Sequence, residues 1–135
     1  MGSPGGLIAR PLAVMMNRRL RTLPVAATLA QAAQLMRDER TGAVLVEDQG
    51  RYVGIVSESD LVRKGMAEHL EAGAESVRRI MSRPIITIEI DRTAHEASDL
   101  MAERGIRHLA VTEEDRIVGL LSVRDLLRYF KNWGA

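Results

Sequence analysis

Shifting the chain by 65 residues lays residues 16–63 on residues 81–128 without a gap, and no other sequence feature limits the possible folds as strongly. Of the 48 aligned positions 15 are identical, among them Thr22/Thr87, Thr28/Thr93, Leu35/Leu100, Met36/Met101, Val46/Val111, Gly54/Gly119, Ser57/Ser122 and Asp60/Asp125. A chain of 135 residues therefore holds two related half-size units and has no room for a large two-domain enzyme. A unit of about 50 residues buries little core alone, so the two copies are expected to pack together as one module.

Each copy carries the same signals in the same order. A short apolar run (residues 20–23; 85–88) precedes Thr28-Leu29-Ala30-Gln31 or Thr93-Ala94-His95-Glu96, and both tetrapeptides are capping boxes that fix a helix start. Leu29, Ala32, Ala33 and Met36 then recur at helical spacing, as do Ala94, Ala97 and Met101 in the second copy. Two short apolar runs follow, residues 43–46 and 52–56 or 108–111 and 117–121, joined by about five polar turn residues. This arrangement predicts an antiparallel hairpin. A second helix starts at Ser57 or Ser122. The expected fold is α/β of the α+β kind: two strand-helix-strand-strand-helix repeats, packed sheet to sheet about a pseudo-twofold axis. Residues 10–72 form the first repeat and 73–133 the second. The stretch 64–80 reads as a polar, helix-like connector, and residues 1–9 as a flexible tail or cloning remnant.

Composition narrows the function. Nineteen Lys and Arg against 18 Asp and Glu leave a formal net charge of +1, and aromatic residues make up 3% of the chain. Neither suits a nucleic-acid binder, which needs a basic surface or stacking platforms. With no cysteine there is no disulfide framework, thiolate metal site or cysteine nucleophile. No apolar run reaches the roughly 18 residues of a membrane span and no signal peptide is evident, so the expected setting is cytoplasmic, away from membranes. His69, His95 and His108 lack the spacing of a helical metal site, so no metal is expected. Nucleophile-elbow, phosphate-loop and zinc-protease motifs are absent, and the chain is not expected to be an enzyme.

The most informative shared motif is Gly54-Ile55-Val56-Ser57-Glu58-Ser59-Asp60, repeated as Gly119-Leu120-Leu121-Ser122-Val123-Arg124-Asp125. Ser-x-x-Asp ahead of an apolar run is a capping box in its own right. The surrounding pattern also suits a ligand. Glycine in the strand permits close backbone approach, the helix N-terminus presents free N–H groups to a phosphate, and a carboxylate can accept from both ribose hydroxyls. The two roles are compatible.

In these residues the chain resembles the CBS domain family, named for cystathionine β-synthase, whose members occur as tandem pairs that bind adenosyl ligands. The resemblance spans nearly all of residues 16–128 and extends to Met81-Ser82-Arg83-Pro84-Ile85 and Gly105-Ile106-Arg107-His108-Leu109. It implies that Ser57 and Asp60 serve one cleft and Ser122 and Asp125 the other. It further implies a purine held by backbone at residues 17–21 or 82–86, including Arg21, Arg83, Pro84 and Ile85, and near the second strand at Gly42 and Ala43 or Arg107 and His108. Arg107, His108 and Arg124 replace Gly42, Ala43 and Ser59 of the first copy, so the Asp125 cleft is expected to be the better phosphorylated-nucleotide site.

AMP, ADP, ATP, NAD(H) and S-adenosylmethionine all share the ribose that Asp and Ser would read. None would be covalently attached. The C-terminal helix carries Leu126, Leu127, Tyr129, Phe130 and Trp133, a dense apolar band that, with the resemblance, implies a homodimer. The expected function is a stand-alone regulatory module that signals to an unidentified effector protein through conformational change. A constitutive assembly or adaptor domain is the alternative from another class, and nucleic-acid binding through the Arg clusters is a more remote one.

Overall fold

The structure is a computed structural model that describes residues 10–133. The expectation for residues 1–9 falls outside these. In chain order the elements are α1 (Pro11–Met15), β1 (Thr22–Pro24), α2 (Leu29–Glu39), β2 (Ala43–Asp48) and β3 (Arg51–Ser57). Then come α3 (Glu58–Asp60), continuing as a π-helix over Leu61–Met66, and a 3-10 turn at Val77–Arg79. The second copy supplies β4 (Thr87–Glu89), α4 (Ala94–Arg104), β5 (His108–Glu113), β6 (Arg116–Ser122) and α5 (Val123–Trp133). The fold is mixed α+β, with two three-stranded sheets ordered β1-β2-β3 and β4-β5-β6.

The chain divides into two compact units, residues 21–85 and residues 10–20 with 86–133. Within each, a helical crossover makes the first two strands parallel, and a hairpin makes the last two antiparallel. The hairpins are tighter than the apolar runs suggest. Only Gln49-Gly50 and Glu114-Asp115 lie between the strands, all with positive φ, which is the geometry of a two-residue type I′ turn. Strand pairing therefore takes in polar residues at the end of each run. A register irregularity between Val46 and Glu47, repeated between Val111 and Thr112, bends both hairpins at the same place.

The core of residues 21–85 is built from Ala27, Leu29, Ala32, Met36, Val44, Val46, Val56, Val77, Ile80 and Met81. The other unit uses Leu12, Met16, Ile88, Ile90, Ala94, Ala97, Met101, Leu109, Val111, Leu121 and Leu126. Fully burying one such Val or Leu side chain is worth about 1.5–3 kcal/mol. Both expected capping boxes form. Thr28 accepts from the Gln31 N–H and Thr93 from the Glu96 N–H, while the Gln and Glu side chains return the bond. The bonds from Thr93 draw the Glu96 carboxyl below its ordinary pKa, with Arg92 adding a smaller pull.

The connector differs from its expected helical form. Its only regular pieces are the end of the π-helix and the 3-10 turn, and Val77 and Ile80 are completely buried. The backbone between them is spent on neighbours: Leu29 N–H donates to Glu75 O at 3.0 Å and Ala30 N–H to Ala72 O at 2.8 Å. These bonds satisfy donors at the start of α2 that a helix leaves open, which outweighs the weak helical propensity of a stretch containing Gly65 and Gly73.

Candidate functional site

Both Ser-x-x-Asp motifs sit where a sheet strand turns directly into a helix. Ser57 is the N-cap of α3, in extended conformation, and its backbone N–H donates to Asp60 Oδ2 at 3.0 Å. The Asp60 N–H donates back to Ser57 Oγ at 3.2 Å. In the second copy Ser122 N–H donates to Asp125 Oδ2 at 2.8 Å, and Asp125 N–H to Ser122 Oγ at 3.1 Å. Capping and site formation are thus the same local event.

A second segment of chain crosses each motif. In residues 21–85, Ile55 and Ser82 exchange backbone bonds of 3.0 and 2.8 Å. In the other unit, Asn17 and Leu120 do the same at 2.8 and 3.0 Å. Glycine is required at this crossing. A Cβ on Gly54 would lie 2.7 Å from Met81 Sδ and 3.1 Å from Ser82 O, and one on Gly119 would lie 2.5 Å from Met16 Sδ and 3.2 Å from Asn17 O. The close approach inferred from glycine is therefore made by the chain's own backbone. Met16 and Met81 are buried and pack against these glycines.

The first site is internally saturated. Asp60 is only 5% exposed. The Ser57 hydroxyl lies 3.1 Å from Oδ2, and the Ser82 hydroxyl lies 3.0 and 3.2 Å from the two carboxylate oxygens. Lys64 adds an ion pair to Oδ1 at 2.9 Å. The same ammonium reaches Ser82 Oγ at 3.1 Å and Ile80 O at 3.3 Å, so its three donors meet three acceptors. Lys64 lies outside the residues that the motif singles out; its i, i+4 spacing from Asp60 is the sequence signal for it.

The second site is open. Asp125 keeps one-fifth of its side-chain surface exposed, and beyond the capping box it forms an ion pair with Arg128, 4.0 Å from Oδ1. Asn17 stands where the first copy has Ser82, and its Oδ1 accepts from the Arg19 N–H at 3.0 Å instead. Tyr129, in the place of Lys64, packs on the core and meets Phe130 edge-on at 5.6 Å.

The candidate residues divide between the units. His108 pairs across the ladder with Ser122, and Val123 N–H donates to Arg107 O at 2.9 Å, which gathers Arg107, His108, Ser122, Arg124 and Asp125 at one end of the β4-β5-β6 sheet. Arg107 and Arg124 are exposed, with no ion pair or side-chain hydrogen bond among the described residues. In residues 21–85, Ala43 pairs with Ser57, and Glu58 N–H donates to Gly42 O at 3.0 Å. Arg83, Pro84 and Ile85 follow Ser82 directly, with a cis bond before Pro84. Arg21 is half-buried and ion-paired to Glu39 at 3.0 Å. No group of three or more His, Asp or Glu placed to hold a metal occurs among the described residues.

Paired βαββα units, each closing on Gly-x-x-Ser-x-x-Asp, are what the CBS domain produces when it occurs in tandem. The CBS domain profile matches residues 12–67 and 77–132, and the chain belongs to this family. It is 33% identical over 103 residues to protein MK0525 of Methanopyrus kandleri, covering 75% of this chain and 53% of that one. The chain thus spans about half the length of that relative, and 30% of the length of a second. Among solved structures, a CBS-domain protein from Burkholderia ambifaria, classed with signal-transduction proteins, superposes with a TM-score of 0.84 at 29% identity, covering 88% of each chain. The hexameric CBS-CP12 protein of bloom-forming cyanobacteria gives 0.80 at 26% identity, covering 90% of this chain and 74% of that one. Tandem CBS chains are generally regulatory, non-catalytic modules that often bind adenosyl ligands and form oligomers. No helix among the described residues is long and apolar enough to cross a membrane.

Proposed function

We propose that this chain is a regulatory module that binds an adenine nucleotide or related adenosyl ligand at the Asp125 site and passes the event to a partner protein through a conformational change. The observation that carries the reading is the Asp125 carboxylate, one-fifth exposed and met at Oδ1 by Arg128 only at 4.0 Å, near Arg107 and Arg124, which make no ion pair among the described residues, at the N-terminus of an 11-residue helix. A carboxylate held only loosely by its neighbours suits a ribose diol. Arg107 and Arg124, together with the positive helix end, suit a phosphate. Of the two candidate base-wall segments, residues 17–20 lie in the same unit as Asp125 and cross its motif where Asn17 meets Leu120. We further propose the repeat boundaries 10–72 and 73–133, a cytoplasmic setting and assembly at least to a homodimer. Exposed Leu127, Val62 and Met66 on the second helices favour assembly. The size of the signal is bounded by the ligand's difference in affinity between the two conformations.

Thermal shift with AMP, ADP, ATP, NAD(H) and S-adenosylmethionine tests the reading. A ligand at a hundred times its Kd stabilises a folded protein by about 2.7 kcal/mol, which moves the melting temperature by several degrees in a chain of this size. At least one of the five is expected to do so. If all five leave the melting temperature unchanged, the chain is a constitutive assembly domain and the proposal fails.

A further inference from the structure

The repeat equivalence suggests two ligand sites, but the structure fills one of them with protein. A ribose diol bound at Asp60 would need carboxylate lone pairs to accept its two hydroxyls. Those lone pairs already receive the Ser82 hydroxyl and the Lys64 ammonium, both at about the distance a ligand hydroxyl would adopt. The contacts are coupled, because Lys64 also bonds Ser82 Oγ and the carbonyl of Ile80, two residues before Ser82. Displacing the ammonium would leave a nearly buried carboxylate without its counter-charge and also free the segment that carries Ser82.

We propose that Lys64 and Ser82 form a latch that closes the first adenosyl site from within, so that the chain takes up one ligand where the repeat provides for two. Lys64 is the specificity-determining residue: the second copy has Tyr129 in its place, packed against the core, and among the described residues its carboxylate is met only by Arg128 at 4.0 Å outside the capping box. The inference rests on the reading that the Asp125 site binds an adenosyl ligand.

Calorimetric titration of Lys64→Met and Ser82→Ala with AMP and ATP tests it, using the full chain and confirming a cooperative melt for each variant. Wild type is expected to bind one ligand per chain, and each opened variant two, the added site vanishing when Asp60→Ala is introduced as well. Folded variants that still bind one ligand overturn the latch while leaving the Asp125 reading intact. Wild type that already binds two also overturns it. Should Lys64→Met not melt cooperatively, Ser82→Ala decides the question alone. If neither wild type nor any variant binds, the underlying functional reading has failed instead.

Discussion

The two motifs share a capping box, a glycine crossing and a strand-to-helix turn, yet they part at the carboxylate. Asp60 is buried and surrounded by Ser57, Lys64 and Ser82, whereas Asp125 keeps one-fifth of its side-chain surface exposed, with Arg124 next to it in sequence and Arg107 brought to the same sheet end by the Val123–Arg107 backbone bond. The divergence rests on two positions. Lys64 against Tyr129 and Ser82 against Asn17 turn one copy of a shared motif into a structural joint and leave the carboxylate of the other less enclosed. Duplicated sites can thus be differentiated without altering the residues that define them.

What the copies share is tested first, and there the expected effect is largest. Gly54→Ala and Gly119→Ala each push a methyl against a buried methionine and a backbone carbonyl, and each is expected to cost about 1–3 kcal/mol in urea unfolding. Similar losses would show that the crossing is equivalent in both copies, and a neutral result at either position would remove that equivalence. The next test separates the copies. Asp60→Ala strands Lys64 and Ser82 and is expected to cost about 2 kcal/mol, a figure kept below that of a fully buried pair because Lys64 is half exposed. Asp125→Ala removes little beyond a cap, worth about 1 kcal/mol. The reverse order of stabilities would contradict the division into joint and open site.

The fold was largely legible because repetition doubles every local signal. The Thr28 and Thr93 capping boxes, the helical spacing after them and the Ser57 and Ser122 helix starts all lie in short sequence windows, and all are formed. The hairpin turns are shorter than their polar stretches suggest, since Gln49-Gly50 and Glu114-Asp115 sit inside longer polar runs and only backbone φ values single them out. The connector misled for a different reason. Val77 and Ile80 lie in a polar stretch with no clear periodicity, and their burial depends on contacts far along the chain. At the site, the Arg107 and Arg124 asymmetry could be read from the aligned copies. The Asp60 latch could not, because Ser82 reaches Asp60 across 22 residues and only folding reveals that Lys64 serves both.

The central claim is that Asp125 binds and Asp60 supports. Calorimetric titration of wild type, Asp125→Ala and Asp60→Ala with the nucleotide that gives the largest thermal shift tests this directly. The account predicts that Asp125→Ala abolishes most of the binding heat, while Asp60→Ala, where folded, binds with affinity close to wild type. Equal losses in the two variants, or a loss confined to Asp60→Ala, would contradict it.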